Sequence, residues 1–195
     1  MNPAMSKGSK LPLGWTTRAL VLVAVIAAIF AVVNVGFAFL SRIVEVLGGP
    51  LGSFGLSGLY QMPYLLPFIV VALPGASILA GLIDGVVEVL IGNPYGAIVI
   101  AYALIQALGV EVGFALWRWR SRSPLTLFVA GALGNVFGQA LTVQLYGWTS
   151  LVQQNLWWVL VAILSGGIFG LVAYYLGQLL QRSGLLRIGT VGKAA

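Results

Sequence analysis

Six successive stretches of predominantly apolar residues constrain the fold of this chain more than any other feature. A helix of roughly 20 such residues crosses the hydrocarbon core of a bilayer. Only 7% of the 195 residues are charged, against about 25% in soluble domains. We therefore predict an all-α membrane protein, a six-transmembrane-helix bundle that forms a single membrane domain over residues 1–195. The predicted spans are approximately 18–40, 51–73, 74–91, 95–117, 125–146 and 156–180.

Proline and glycine mark the predicted helix boundaries. Pro63 and Pro67 predict a kink in the second span. Pro74-Gly75 is typical of a helix start, and Gly92-Asn93-Pro94 separates the third span from the fourth. The first span and the polar segment before it are too long for a cleaved signal peptide, so we expect a mature helix there.

The basic residues predict the orientation. With six spans, only Arg42 lies on one side of the membrane, and the other nine Lys and Arg residues lie on the opposite side. Such residues are concentrated in cytoplasmic loops, which predicts that both termini are cytoplasmic. The net charge of +6 is thus attributed to membrane orientation, with no nucleic-acid partner. The nine are Lys7, Lys10, Arg18, Arg118, Arg120, Arg122, Arg182, Arg187 and Lys193.

Missing residue types exclude most chemistry. The chain has no Cys and no His, so it lacks thiolate metal ligands and the commonest general base. Gly192-Lys193 is followed by Ala194, whereas a phosphate-binding loop requires Ser or Thr there and an upstream glycine. We predict no catalytic residue, no metal site and no ATPase activity.

Three of the four acidic residues lie within predicted spans, where acids are costly and indicate function. Asp84 and Glu88 are four residues apart, hence on one face of the third helix. No predicted span offers them a basic partner. The pair suggests a site open to a cation from outside. The alternative is a carboxyl that is protonated or hydrogen-bonded to the backbone at a helix end.

Glu111 lies on the fourth helix, seven residues before Arg118 and on roughly the same face. The two are about 10 Å apart along the axis. The first interpretation is an interhelical hydrogen bond or a pairing with Arg118 at the inner boundary. A role in substrate binding is the second.

Uncharged polar and aromatic residues have two interpretations as well. They could hold helices together by hydrogen bonds and anchor the interfaces. Alternatively, Glu88, Gln106 and Gln139 could meet in one outward-facing cavity lined by aromatic rings. The further candidates for that cavity are Tyr60, Tyr102, Asn135 and Trp148.

The first helix carries small residues at a spacing of four, which allows a neighbouring helix to approach closely. The pattern fits packing within the bundle and docking of a partner equally. The residues are Ala24, Ala27, Ala28 and Ala31.

Residues 88–96 (EVLIGNPYG) and 102–111 (YALIQALGVE), after the Pro74-Gly75-Ala76 opening, resemble the S components of energy-coupling-factor (ECF) vitamin transporters. The resemblance is to the YkoE-like subfamily, which is linked to thiamine and its hydroxymethylpyrimidine moiety. It implies a protein that binds its vitamin from outside and topples in the membrane to release it. It also implies a bacterial cytoplasmic membrane and no cofactor of its own. The implied partners are a transmembrane coupling subunit, contacted by the first-helix alanines, and two ATPase subunits that use ATP.

The resemblance places Glu88, Gln106 and Glu111 at matching motif positions. A carboxylate could neutralise the thiazolium of thiamine or accept from its aminopyrimidine. Tyr60, Tyr102 or Trp148 could stack on either ring, with a cation–π attraction of about 0.5–2 kcal/mol. The predicted function is capture of thiamine or its precursor and delivery inward.

Two other functions stay open on the sequence. One is an autonomous proton- or cation-coupled carrier that uses Asp84 and Glu88. The other is a membrane scaffold whose first-helix alanines bind a partner helix without any ligand.

Overall fold

The computed structural model describes residues 14–154 and 157–182. Within these residues the chain forms seven α-helices and one 3-10 helix, without a strand. The prediction of an all-α membrane fold is confirmed. The elements are α1 (Thr17–Leu56), the 3-10 helix Ser57–Gln61, α2 (Met62–Val71), α3 (Ala76–Leu90), α4 (Ile98–Leu116), α5 (Pro124–Leu145), the short α6 (Thr149–Gln154) and α7 (Trp157–Arg182).

Five segments of the described chain are long and apolar enough to cross a membrane. The predicted third span corresponds to α3, which has 15 residues and is shorter than the roughly 20 that a crossing requires. The structure therefore supports a multi-pass membrane protein with five candidate spans and leaves the count of six a prediction. The five are Thr17–Val44, Phe54–Val71, Ile98–Leu116, Pro124–Leu145 and Trp157–Leu180.

Residues 41–50, which the prediction leaves between the first two spans, are helical, although Thr17–Val44 and Phe54–Val71 are separate candidate spans. Helix α1 continues for 40 residues, through Gly48-Gly49-Pro50. Helix propensity at glycine or proline is a weak constraint, which the surrounding structure overrides. The break comes later, where the 3-10 helix leads into α2 with Pro63 in its first turn. Proline is favoured there because the first-turn N–H groups have no intrahelical partner.

The α5 helix packs closely against both α4 and α7, and glycines make this possible. In the contact between α5 and α7, a Cβ added to Gly131 or Gly170 would overlap a backbone carbonyl of the facing helix. Gly134 and Gly138 form a GxxxG pattern in α5, and α7 contains another. Small residues at this spacing let membrane helices approach until their backbones touch.

A second contact fixes the 3-10 helix against α7. The hydroxyl of Ser165 accepts from the N–H of Gly58 (3.0 Å) and donates to the carbonyl of Gly55 (2.7 Å). A Cβ on Gly58 would overlap the backbone of Ser165. The 3-10 helix is thereby held where Ser57 and Tyr60 face the interior of the bundle.

Apolar side chains cover the outside of the bundle. On helices α1 and α7, many large apolar side chains expose more than a third of their surface area. In a soluble protein such continuous patches would be interaction sites, and around a membrane bundle they face lipid. Examples are Val21, Val25, Ile29 and Val32 of α1, and Leu160, Leu164 and Ile168 of α7.

Candidate binding cavity

A cavity of about 270 Å³ lies between α1, the 3-10 helix and α2 on one side and α3, α4 and α5 on the other. This is just below the usual range for small-molecule sites, about 300–1,000 Å³. Its lining joins one carboxylate and a few amides and hydroxyls to several tyrosine rings. The lining residues are Ala38, Ser41, Ser57, Tyr60, Tyr64, Glu88, Asn93, Tyr95, Ile98, Val99, Tyr102, Ala103, Gln106, Gln139, Thr142, Leu145 and Tyr146.

Glu88 supplies the carboxylate of the cavity from the last turn of α3. The side-chain amide of Asn93 donates to its Oε2 over 2.5 Å. The Asn93 side-chain oxygen in turn accepts from the N–H of Tyr95 (2.9 Å). Gly92 has a φ of 89°, in the left-handed region that favours glycine. This conformation allows the turn that brings Asn93 back to the end of α3. The α3–α4 loop thus orients the carboxylate.

Asp84 lies one turn deeper on the same face of α3 and is fully buried. It does not line the cavity. The hydroxyl of Tyr64, which does, donates to Asp84 Oδ2 over 2.9 Å. The Asn34 amide of α1 lies 3.4 Å from Asp84 Oδ1. Asp84 is therefore joined to the cavity wall by its hydrogen bond with Tyr64.

Two glutamines form another part of the cavity wall, and a third supports one of them. The Gln61 amide donates to Oε1 of Gln106 over 3.1 Å, and Gln106 and Gln139 both line the cavity. The buried Oε1 of Gln139 accepts no hydrogen bond from the described residues. Gly138 makes room here, because a Cβ at this position would lie 2.6 Å from Gln106 Cγ. An acceptor left open beside a cavity favours a ligand that carries donors.

Tyrosines enclose the remaining space. The hydroxyl of Tyr60 is hydrogen-bonded to Ser41 of α1 over 2.9 Å. Arg42, the next residue of α1, lies over the Tyr95 ring, 5.3 Å from its centroid. The guanidinium of Arg42 thus packs on the face of one ring of the cavity wall. The described lining itself contains no Lys or Arg.

Comparisons with known proteins agree with this architecture. A family model described as "ABC-type cobalt transport system, permease component" matches residues 18–137. The chain belongs to this permease family. A relative from Bacillus subtilis (strain 168), named "Putative HMP/thiamine permease protein YkoE", is 28% identical over 181 residues, covering 92% of this chain and 91% of the relative. A solved structure described as an S-component of an ECF transporter matches with a TM-score of 0.86 and 26% identity, over 92% of each chain.

The predicted membership in the YkoE-like S components of ECF transporters is confirmed by these matches. The permease component is a membrane-bound, substrate-binding transporter subunit and not an enzyme.

Among the residues that the structure describes, no group of three or more His, Cys, Asp or Glu side chains is placed to hold a metal ion.

Five of the predicted binding residues meet in the cavity, and four lie elsewhere. The amide of Asn135 donates to the carbonyl of Ala162 over 2.8 Å and so joins α5 to α7. Trp148 stacks on Phe54 of α1, with ring centroids 6.3 Å apart. Asp84 is behind the cavity and Glu111 is at the far end of α3. The five in the lining are Tyr60, Glu88, Tyr102, Gln106 and Gln139.

Glu111 makes the interhelical hydrogen bonds that its first interpretation anticipated. Its carboxylate accepts from the N–H groups of Gly75 (2.6 Å) and Ser77 (3.2 Å) at the start of α3. The indole N–H of Trp119 donates to the same carboxylate over 2.6 Å. Gly75 and Glu88 are about 20 Å apart along α3, at 1.5 Å per residue. Glu111 therefore caps the end of α3 opposite the cavity.

We expect Glu111→Gln to lower the stability of the permease component by about 1.5–3 kcal/mol, because the cap loses hydrogen bonds to a charged group. Thermal unfolding in detergent measures the loss as a lower apparent melting temperature. Trp119→Phe removes only the indole donor and should cost less. An unchanged melting temperature for Glu111→Gln would show that the carboxylate does not hold the start of α3.

The four alanines of α1 differ in burial, which bears on whether they pack within the bundle or dock a partner. Ala27 and Ala31 are fully buried, and Ala27 packs with Ala76 and Ala80 of α3. Ala24 and Ala28 are only partly covered. The structure therefore places the first two inside the bundle and leaves the other two on a surface that a partner could reach.

Sequence reasoning missed several residues of the site. The sequence identifies Asn93 only as part of a helix break, although its position five residues after Glu88 is a signal for a donor to that carboxylate. Tyr64 and Asn34 reach Asp84 from other helices, across 20 and 50 residues of chain. No local pattern indicates those two contacts.

Proposed function

We propose that the permease component binds thiamine or its hydroxymethylpyrimidine precursor from outside and delivers it inward as the substrate-specific subunit of an ATP-driven ECF transporter. The observation that carries this proposal is a single oriented carboxylate, Glu88, in a tyrosine-lined cavity. The name of the Bacillus subtilis relative, which mentions HMP and thiamine, supports the choice of ligand.

The chemistry of the lining fits that ligand. Thiamine carries a fixed positive charge on its thiazolium ring and hydrogen-bond donors on its aminopyrimidine ring. Glu88 offers a negative charge to the first or an acceptor to the second, and Gln139 offers another acceptor. Tyr60 and Tyr102 provide flat faces for either ring, and a cation over such a face gains about 0.5–2 kcal/mol.

The proposed assembly supplies what this chain lacks. The sequence has no phosphate-binding loop, so ATP would be used by two ATPase subunits joined through a transmembrane coupling subunit. Ala24 and Ala28 are the partly exposed small residues of α1, and they are proposed to dock that coupling subunit. Six crossings with both termini in the cytoplasm of a bacterial cell complete the proposal. In that orientation the Arg118–Arg122 turn faces the cytoplasm.

Isothermal titration of the purified chain in detergent tests the ligand. We expect saturable one-site binding of thiamine, of hydroxymethylpyrimidine or of both. Biotin, a vitamin without a cationic ring, serves as the control and should give no signal. The proposal is wrong if neither compound binds at micromolar concentrations.

An autonomous carrier is the second candidate, because Asp84 and Glu88 are buried acids one helical turn apart and Glu88 lines the cavity. Uptake into vesicles separates the two functions. A carrier moves the ligand with this chain alone and depends on the proton gradient. An S component needs the coupling subunit, the ATPases and ATP.

A further inference from the structure

The two acids of α3 form a buried cluster in which the described residues provide no neutralising ion pair. Asp84 is 0% exposed and Glu88 is 3% exposed. They are four residues apart, so their side chains are neighbours on one helix face. Two carboxylates that share a buried site cannot easily both be ionised. The cluster therefore needs positive charge from a proton or a ligand.

Every element packed around the pair contributes a group. Asn34 comes from α1, Tyr64 from α2, Tyr60 from the 3-10 helix, and Asn93 with Tyr95 from the α3–α4 loop. On α4, Tyr102 also lines the cavity. Phenols are neutral near pH 7. The charged group Arg42 lies on the Tyr95 ring, where it is exposed at the edge of the bundle.

An unpartnered acceptor, the side-chain oxygen of Asn34, lies beside this cluster. Asn34 is 1% exposed, and its amide nitrogen lies 3.4 Å from Asp84 Oδ1. Its side-chain oxygen accepts no hydrogen bond from the described residues. A buried amide oxygen without a donor is costly. A proton on the Asp84 carboxyl would supply this donor once the amide exchanges the positions of its nitrogen and oxygen.

We propose that Asp84 and Glu88 hold one proton between them in the empty protein, and that a ligand cation at Glu88 displaces this proton into the solvent. This inference rests on the proposed function and adds that the bound ligand carries a positive charge, which replaces the proton. The pair with one proton carries a charge of −1. Loss of the proton and arrival of one positive charge leave −1 again, so the buried site never holds two uncompensated charges.

Titration calorimetry of the full chain in two buffers tests the exchange. Thiamine binding is measured at one pH in phosphate and in Tris, whose ionisation enthalpies differ, so a released proton changes the observed heat. We expect release of about one proton per thiamine, as for a tightly coupled pair of acids. Hydroxymethylpyrimidine has no fixed charge and should release close to none.

The variant Asp84→Asn removes one member of the pair, so Glu88 starts ionised. We expect thiamine still to bind and the proton release to fall toward zero. Glu111→Gln makes the same chemical change in the acid outside the cavity and should keep the release of the unmodified chain. A release that Asp84→Asn leaves unchanged would overturn the assignment of the proton to this pair.

The two-buffer comparison on the unmodified chain is decisive without any variant. Thiamine binding whose heat is the same in both buffers overturns the proton exchange and leaves the proposed function intact. Absence of binding by both compounds overturns the proposed function and the exchange with it.

Discussion

Glu88→Gln is expected to weaken thiamine binding by about 2–5 kcal/mol, the usual cost of removing one member of a buried, hydrogen-bonded charge pair. This corresponds to a loss of roughly 30-fold to several thousand-fold in affinity. The physical reason is the position of the carboxylate, which is buried in the cavity wall and oriented by Asn93 over 2.5 Å. The glutamine keeps the shape and one acceptor but cannot neutralise a cation. Titration calorimetry on the folded variant measures the change.

The same variant distinguishes which ring of the ligand faces Glu88. If the aminopyrimidine faces it, the amide oxygen of Gln can still accept a hydrogen bond, and the loss should be about 10-fold or less. If the thiazolium faces it, the loss is large for thiamine and small for hydroxymethylpyrimidine.

Glu111→Gln is the matched control for this experiment. It replaces a buried acid that lies at the opposite end of α3. The affinity per folded molecule should therefore stay unchanged, although the stability falls. Unchanged affinities for both thiamine and hydroxymethylpyrimidine in Glu88→Gln would show that the carboxylate is not part of the ligand site.

Gly170→Ala is expected to destabilise the fold by about 1–3 kcal/mol or more, the range for overpacking a well-packed contact. The added Cβ would overlap the carbonyl oxygen of Leu127 on α5. A backbone atom cannot rotate away, so α5 and α7 must separate. Because α5 carries Gln139 and Thr142 of the cavity, ligand binding should weaken as well. Thermal unfolding and thiamine titration measure the two effects.

Gly36→Ala is the matched control, since it makes the same change in α1, where nothing lies within 4 Å of the added Cβ. Alanine is favoured over glycine in a helix by about 1 kcal/mol, so this variant should be neutral or slightly stabilising. Equal effects of the two variants would show that the α5–α7 contact is not limited by space.

The pairing of Asp84 with Glu88 on one face could be predicted because helix periodicity is local. The meeting of Glu88, Gln106 and Gln139 followed from their similar depth in three helices, and the structure brings them into one cavity. Asn135 and Glu111 are also polar residues within predicted spans, yet they bind backbone groups of neighbouring helices. Sequence periodicity assigns a face to a polar residue but does not say which neighbour covers that face.

The length of α1 shows the same limit. The predicted spans leave residues 41–50 between the first and second helices, and α1 nevertheless continues to Leu56. Local propensity is a weak constraint, and tertiary context overrides it. The break in the structure lies where the 3-10 helix packs on α7 and Ser165 binds it, a contact between residues more than a hundred positions apart.

The sequence by itself determined that this protein is a helical membrane protein with buried acids on one helix, because hydropathy and periodicity are properties of short segments. It also carried the family resemblance in residues 88–111. Only the tertiary structure decided which polar groups share the cavity, that Glu111 caps α3, and that glycines set the α5–α7 distance. Those features depend on how closely helices approach one another, and that approach is settled by the packing of the whole bundle.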